Sequence, residues 1–305
     1  MKKTLIVGTV AYDEIETSNG SSGKILGGAG TYIALACSQF KLDASVVSVV
    51  GGDFETAHLE LLKNKGVDTR SIEVISKGKT FYWKGKYHKN WNKRDTLVTE
   101  LNVLADFDPK VSVDFAKSEI VVLGNLHPAV QGAVLDQLVK KPETIILDTM
   151  NFWMDSAIEE LLKIINRVDV IVINDEEAIQ LSGKDSLFSA AEEILKLGPK
   201  YVIIKKGEHG SMLFGDKEFF VSPAFPVNEV IDPTGAGDTF AGGLSGHLSE
   251  QKELTFENLK NGIIYGTVLA SFCVESFGTS SMEKLKKEQV LDRVNQLKTF
   301  TKHSV

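Results

Sequence analysis

A regular alternation of short apolar runs and amphipathic stretches in the second half of the chain limits the fold most strongly. Each apolar run is only a few residues long and is bounded by polar residues, as buried strands are. The runs occupy residues 120–123, 144–147, 168–173 and 201–205, and the helix-like stretches lie near 129–140, 156–166, 175–181 and 186–197. Strands that alternate with helices predict a doubly wound, mostly parallel sheet between two helical layers, which is a three-layer α/β fold.

The remaining sequence extends this pattern towards both ends. Its further predicted elements are strands at 3–10 and 45–50, helices at 31–40, 257–273 and 283–299, and a hairpin at 211–221. We find no internal repeat, low-complexity segment or linker in the sequence. The 305 residues are therefore expected to form a single domain over 1–305.

Residues 79–101 depart from the alternation. Two strand-like stretches, 81–88 and 95–101, are joined by the polar turn Asn90 to Arg94, and no helix follows them. A polar segment ahead of the first helix has a similar hairpin-like character. An accessory sheet packed over the main domain accounts for both segments, so we expect a small β-lid formed by about 12–25 and 79–101.

The composition, with 43% hydrophobic and 25% charged residues, is ordinary for a soluble globular protein. A net charge of -7 argues against nucleic acid as the main partner. The N-terminal apolar run is too short for a signal peptide, and no stretch reaches the ~18 apolar residues of a membrane span. Cys37 and Cys273 are predicted to be buried free thiols. We expect a cytoplasmic protein that does not associate with membranes.

The candidate functional centre is the stretch Asp232-Pro233-Thr234-Gly235-Ala236-Gly237-Asp238-Thr239-Phe240. Its glycines allow a sharp turn, and the sequence that follows predicts the start of a helix. The amides of Gly235, Ala236 and Gly237 would then lie at a helix N-terminus, where the dipole favours a phosphate. Asp238 is unsuited to binding phosphate but suited to accepting a proton from an attacking hydroxyl. The structural alternative is a glycine-rich loop that Asp238 merely caps.

This string closely resembles the C-terminal signature of the ribokinase-like (phosphofructokinase B, PfkB) carbohydrate kinases. Three further segments resemble the same family: Gly27-Gly28-Ala29-Gly30, the N-x-x-E step of Asn174 and Glu177, and Lys205-Lys206-Gly207-Glu208-His209-Gly210. The resemblance covers essentially the whole chain. It implies ATP-dependent phosphorylation of a hydroxyl on a small sugar or polyol. It also implies that Asp238 is the general base and that the glycine amides stabilise the transferring phosphoryl group.

For the acceptor substrate, the resemblance implies binding by Asp13 after the first strand, and by Gly27 and Gly28. An aspartate that ends a strand can equally cap a turn. The positions at which ribokinase carries a characteristic asparagine and glutamate hold Tyr32 and His127 here, and these departures count against ribose.

Two alternatives to a sugar kinase stay open. A nucleoside kinase of the same fold is the nearer one, because the aromatic residues of this chain could stack on a base as well as on a sugar. A non-catalytic regulator that binds a sugar or a nucleotide is the second. The complete glycine loop and Asp238 argue against a regulator, since a pure binding protein needs no base.

For the nucleotide, the resemblance implies ATP contacts from Asn174, Lys206, Gly207, Gly210, Asn261 and Gly278. Glu177 would help arrange phosphate-bound Mg²⁺ through water, although Asn174 and Glu177 equally fit a helix capping box. Asp232 and Thr234 match a family site for a monovalent cation such as K⁺. Aromatic residues in the lid suggest a homodimer formed through it.

Overall fold

The computed structural model describes residues 2–41, 43–89, 91 and 93–302. The strands are β1 Thr4–Val7, β2 Ala11–Thr17, β3 Gly20–Gly27, β4 Ala44–Gly51, β5 Val67–Asp68, β6 Ile72–Ile75, β7 Tyr82–Tyr87, β8 Arg94–Glu100, β9 Ile120–Leu123, β10 Thr144–Asp148, β11 Val170–Asn174, β12 Tyr201–Lys205, β13 Ser211–Phe214 and β14 Phe219–Ser222. The helices are α1 Ala29–Cys37, α2 Thr56–Asn64, α3 Pro128–Asp136, α4 Asn151–Ser156, α5 Ile158–Ile165, α6 Asp175–Ser182, α7 Leu187–Leu195, α8 Ala236–Ser249, α9 Phe256–Cys273, α10 Ser280–Lys284 and α11 Lys287–Phe300.

The main sheet has the strand order β14-β13-β12-β11-β10-β9-β1-β4-β5, and β6 also pairs with β4. Neighbours from β12 to β5 run parallel, whereas β13 and β14 form an antiparallel edge. The sequence therefore predicted the sheet correctly as doubly wound and mostly parallel. Because parallel strands that are buried on both faces read as unbroken apolar runs, their bounds were easy to locate.

Successive residues of the central strands pack into two different apolar cores. Ile6 and Val122 belong to the core that includes residues of α1, α8 and α9, whereas their neighbours Leu5 and Val121 belong to the core that includes residues of α3, α5 and α7. This is the two-residue period of a strand covered on both faces. The arrangement confirms the predicted three layers.

Helix α8 packs closely between α1 and α9 because it presents glycines to both of them. A Cβ placed on Gly242 would lie 2.5 Å from the carbonyl oxygen of Ile33, and one on Gly243 would lie 2.8 Å from the Cα of Gly266. Backbone contact of this kind leaves little freedom for α8 to slide. The N-terminus of α8, which follows the glycine-rich stretch, is thereby held in place.

A second sheet, which we call the lid sheet, has the order β3-β2-β7-β8. Its outer face carries an ion pair between Glu14 and Lys84, with 2.9 Å between the carboxylate oxygen and Nζ. Asp13 lies within β2 and faces the other way. Asp13 follows the first strand, as expected, and it lies within β2 of the lid sheet rather than directly at the end of β1, which stops at Val7.

The loop between β7 and β8 was predicted as a turn from Asn90 to Arg94. Asn90 and Asn92 lie outside the described residues, and Arg94 is the first residue of β8 rather than part of a turn. Cys37 and Cys273 are buried free thiols, as predicted, and burial raises the pKa of each to about 12. Within the described ranges, no helix combines the length and apolar character that a membrane span requires.

Candidate active site

The glycine-rich stretch forms a tight turn into α8. Gly235 precedes the helix with φ 74°, a left-handed conformation that favours glycine. A Cβ at this position would lie 2.5 Å from ring atoms of Tyr32, so a side chain is also excluded by contact. The Ala236 amide donates to the Pro233 carbonyl at 3.2 Å. Among the described residues, the Gly235 and Gly237 amides make no backbone hydrogen bond, so these two are the ones available to an anion.

Asp238 lies in the first turn of α8, half-buried beside those amides. Burial, followed by the neighbouring Asp148 carboxylate, raises the pKa of Asp238 to about 7 against the opposing charges of Lys205 and Arg94. A carboxylate whose pKa lies near neutral pH is matched to reversible proton transfer. The predicted general base therefore has the environment that this role requires.

Lys205 is a site residue that the sequence reasoning missed. It ends β12, and its Nζ lies 3.2 Å from an oxygen of Asp148 at the end of β10. A Cβ on Gly237 would lie only 2.9 Å from the same Nζ, so the ammonium group reaches the glycine turn. The adjacent Lys206, which was the predicted phosphate contact, instead donates its amide to the Gly210 carbonyl at 2.7 Å. Lys205 is the lysine that faces the turn.

Asp13 enters the site from the lid sheet. Its carboxylate is 5% exposed and accepts a long hydrogen bond of 3.4 Å from the Gly28 amide. A Cβ on Gly27 would lie 2.0 Å from a carboxylate oxygen of Asp13, so glycine is needed there. Burial raises the pKa of Asp13 to about 7, opposed by the Gly28 amide and supported by the charges of Asp232 and Asp238.

Tyr32 and His127, the two residues predicted to contact the acceptor, occupy different settings. Tyr32 is 1% exposed and packs under Gly235, and its hydroxyl has no hydrogen-bond partner among the described residues. His127 is exposed and caps α3, its Nδ1 accepting from the Ala129 amide at 3.1 Å. Its ring lies 5.0 Å from that of Trp153. Tyr32 therefore shapes the turn from below, whereas His127 has a visible structural role.

Asn174 and Glu177 form a reciprocal capping box at the start of α6. The Asn174 side chain accepts from the Glu177 amide, and the Glu177 carboxylate accepts from the Asn174 amide, both at 2.8 Å. Burial raises the pKa of Glu177 to about 7, with Lys205 opposing the rise and Asp148 supporting it. Glu177 thus belongs electrostatically to the same site as Lys205 and Asp148. The structural interpretation of this motif is visible, and it leaves one carboxylate edge available.

Asp232 is completely buried next to the glycine turn. Its two oxygens accept from the Thr234 amide at 2.8 Å and from the Gly278 amide at 2.9 Å. This links the glycine turn to the loop after α9, where Gly278 has φ 59°. The Asn261 side chain, further back on α9, donates to the Glu257 carbonyl at 3.1 Å. Gly207 and Gly210, with φ 51° and 82°, shape the loop after β12.

The lid sheet contributes three residues that the sequence reasoning did not assign. We call Asp13, Trp83, Tyr87 and Arg94 the inner lid face, because strand pairing places them on one side of the sheet. The Tyr87 oxygen accepts a hydrogen bond from the Thr234 hydroxyl at 3.3 Å. The two-residue alternation of Trp83, Gly85 and Tyr87 was the available signal, since it marks one face of a strand.

Comparisons with known proteins cover most or all of the chain. The family model described as pfkB family carbohydrate kinase matches residues 1–286. A cytidine kinase of Thermococcus kodakarensis is 26% identical over 260 residues, covering 83% of this chain and 91% of that protein. A ribokinase of Staphylococcus aureus is 26% identical over 292 residues, covering 89% of this chain and 87% of that protein. A solved candidate ribokinase II from E. coli, in complex with ATP and Mg²⁺, superimposes with a TM-score of 0.80 at 17% identity, covering 97% of this chain and 100% of that one.

Proposed function

The chain belongs to the pfkB family of carbohydrate kinases, and on this premise we propose that it transfers the γ-phosphoryl group of ATP to a hydroxyl of a small sugar or polyol. Members of this family are phosphotransferases that act on alcohol groups, so the chain is an enzyme rather than a non-catalytic regulator. One observation carries the assignment of the site: Asp238, with a pKa of about 7, lies beside the free amides that begin α8.

Asp238 would accept the proton of the attacking hydroxyl as the oxygen bonds to phosphorus. The Gly235 and Gly237 amides and the Lys205 ammonium group would stabilise the negative charge on the transferring phosphoryl group. All three donors are fixed by packing before the reaction begins. Catalysis of this kind depends on positioning and electrostatics rather than on covalent chemistry by the protein.

Magnesium would be held near Glu177, through water, with Asp148 as a neighbouring carboxylate. Mg²⁺ keeps several waters and needs only one or two carboxylates, so it does not require a dense ligand cluster, and none is present among the described residues. The available Glu177 edge and the proximity of Asp148 fit this requirement. When bound, the ion would neutralise charge on the ATP phosphates. The related E. coli protein, solved with ATP and Mg²⁺, supports the assignment.

The remaining nucleotide contacts are also proposals. Asn174, Lys206, Gly207, Gly210, Asn261 and Gly278 would surround ATP. Asp232 and Thr234 would hold a monovalent cation such as K⁺. A buried carboxylate whose two oxygens each accept one backbone amide keeps further lone pairs for a cation, which supports the K⁺ proposal.

The acceptor would bind between the lid sheet and the glycine turn, at Asp13, Gly27 and Gly28, with Tyr32 and His127 as outer contacts. A nucleoside is the second candidate acceptor. It is favoured by the Trp83 ring, which pairs in register with Asp13 and offers a face for stacking, and by the cytidine kinase of Thermococcus kodakarensis.

The location and the partners of the enzyme are also proposals. Buried free thiols and a net charge of -7 support a cytoplasmic enzyme that acts on small molecules and not on nucleic acid. The exposed edge strand β8, on which Leu97 is 47% exposed, supports a homodimer through the lid sheet.

The test is ATP consumption with Mg²⁺ against a panel of sugars, polyols and nucleosides, with Asp238→Asn assayed in parallel. We expect one acceptor class to be phosphorylated and the variant to lose that activity. Turnover of a nucleoside but not of sugars would select the second candidate. If ATP bound but no acceptor of either class were phosphorylated, the proposal would fail.

A further inference from the structure

Arg94 is a cation to which the proposed mechanism assigns no role. It opens β8 and pairs with Tyr87 across the ladder, on the inner lid face. Its guanidinium carbon lies 5.4 Å from the ring of Trp83, which in turn pairs with Asp13. The side chain is accessible to solvent, yet it lies within the cleft between the lid sheet and the glycine turn.

The strand partner of Arg94 contacts the glycine turn directly. Tyr87 is 7% exposed, and its oxygen lies 3.3 Å from the Thr234 hydroxyl, one residue before Gly235. Arg94 is paired in register with Tyr87 on the same face, and its charge acts on Asp238 at the start of α8. The lid sheet therefore holds a positive charge over the turn that would bind phosphate.

The charge of Arg94 is felt by the acidic groups of the site. It opposes the rise in the pKa values of Asp13, Asp238 and Glu177, which burial causes in all three. These groups come from three different elements, so the charge of Arg94 acts on the acidic groups of the site as a set. Among the described residues, no carboxylate forms an ion pair with the guanidinium, whereas Lys205 is paired with Asp148. Arg94, which interacts with the Tyr87 hydroxyl, therefore keeps further donors for an incoming anion.

We propose that Arg94 is a catalytic residue, delivered by the lid sheet, that binds the transferring phosphoryl group from the side opposite Lys205. The inference rests on the proposed kinase function. A planar guanidinium donates paired hydrogen bonds that match phosphate oxygens, and it stays protonated at all relevant pH values. Charge on a transferring phosphoryl group is stabilised by such arginines in other kinds of phosphotransferase.

The chemical step balances without any proton from Arg94. The acceptor oxygen bonds to the γ-phosphorus, the bond from that phosphorus to the bridging oxygen of ADP breaks, and the hydroxyl proton passes to Asp238. Arg94 donates hydrogen bonds to the oxygens of the transferring phosphoryl group. Because Arg94 and Tyr87 belong to one ladder, the full set of cations is assembled only while the lid sheet rests on the turn.

The experiment measures the affinity of the enzyme for MgADP with and without aluminium fluoride, a mimic of the transferring phosphoryl group that requires no known acceptor. The variants are Arg94→Gln and Arg94→Lys. The matched control is Lys86→Gln, which removes the same charge from the outer face of the same sheet. We expect Arg94→Gln to bind MgADP as the wild type does but to bind the fluoride complex at least ~10-fold more weakly, and to lose ~100-fold in kcat.

Partial recovery in Arg94→Lys, with Lys86→Gln unchanged, would support the proposal. An unchanged affinity for the fluoride complex in Arg94→Gln would overturn it. So would an effect confined to the KM of an acidic acceptor, because Arg94 would then bind the acceptor and not the phosphoryl group. These outcomes differ from a failure of the kinase function itself, in which the wild type phosphorylates no acceptor at all.

Discussion

The two walls of the cleft are built in opposite ways. The first wall, residues 232–238 with the start of α8, is fixed by backbone contacts: Gly235 lies against Tyr32, and Gly242 lies against Ile33. The second wall is the lid sheet, whose edge strand β8 is exposed along its whole length. Its contacts with the first wall include a hydrogen bond from the Thr234 hydroxyl to the Tyr87 oxygen.

This difference separates two tasks of the proposed enzyme. The first wall has to present its amides in a fixed geometry, with Lys205 at the end of β12 beside them, because reorganisation during the reaction would add to the barrier. The second wall has to open for substrates and close over them, so it is expected to belong to the least stable part of the fold. Substitutions in the first wall should therefore cost stability and activity together, whereas those in the lid sheet should lower activity without a loss of stability.

The largest effect is expected from Gly235→Ala. A left-handed backbone penalises alanine by ~1 kcal/mol, and the overlap with the Tyr32 ring adds ~1–3 kcal/mol, so the free energy of unfolding should fall by about 3 kcal/mol. Turnover should be largely lost because the amides move. Denaturant unfolding measures the first effect. The control is Gly183→Ala, with φ 66° and no atom within 4 Å of the added Cβ. Equal losses in both variants would contradict contact with Tyr32.

Lys205→Met should have the next largest effect. It removes the ammonium group beside Gly237 and leaves the buried Asp148 without its partner. We expect kcat to fall by ~100-fold and the free energy of unfolding to fall by ~3 kcal/mol. Lys206→Met is the matched comparison: as a proposed contact of bound ATP, Lys206 should affect the KM for ATP, and kcat should change by less than ~3-fold. A larger loss of kcat in Lys206→Met would indicate that Lys206 contacts the transferring phosphoryl group.

Asp13→Asn should change how stability depends on pH. Because the pKa of Asp13 is about 7 in the folded state against 3.8 in the unfolded chain, the folded state binds more protons between these values, and stability falls as pH rises through them. At ~1.4 kcal/mol per pKa unit the effect has an upper bound of roughly 4 kcal/mol, and about 2 kcal/mol is expected. Without ligands, the variant should therefore exceed the wild type in stability at pH 8 but not at pH 4. If the free energies of unfolding of the variant and the wild type depended on pH in the same way, the raised pKa of Asp13 would be contradicted.

The smallest effect is expected from Tyr87→Phe, which removes the hydrogen bond between the two walls. The loss of one such bond amounts to ~1 kcal/mol, so kcat should fall by at most ~10-fold. Amide hydrogen exchange in β7 and β8 should become faster while global unfolding stays within ~0.5 kcal/mol of the wild type. Tyr82→Phe is the control, because that hydroxyl contacts Glu14 on the outer face of the lid sheet. If Tyr87→Phe lowered the free energy of unfolding as much as Gly235→Ala does, the proposed difference in stability between the two walls would be wrong.

The sequence predicted the first wall better than the second for a physical reason. Strands β9 and β12 begin and end where the apolar runs do, and the glycine-rich stretch leads into a helix as expected. Local signals are strong there, since buried strands and a left-handed turn each restrict which residues are allowed. The choice between Lys205 and Lys206 was beyond reach, because one residue of register decides which of two adjacent lysines faces the site.

The second wall gave weaker signals. The connection between β7 and β8 is polar throughout, so nothing in it marks Arg94 as the first residue of a strand rather than the last of a turn. Asp13 was expected just after the first strand and within the lid segment of about 12–25, but the sequence does not show that β1 already ends at Val7. His127 was assigned from its position alone, and its cap on α3 depends on a side-chain conformation that only the structure supplies.

The most direct test of the account is a single-turnover measurement of phosphoryl transfer from labelled ATP to the acceptor found in the panel, comparing wild type with Asp238→Asn at saturating MgATP. We predict that the variant binds MgATP with unchanged affinity and transfers the phosphoryl group at least ~100-fold more slowly, as the loss of a general base requires. Transfer at a near-normal rate in the variant would contradict the account, because Asp238 would then not be the base and the first wall would have another role.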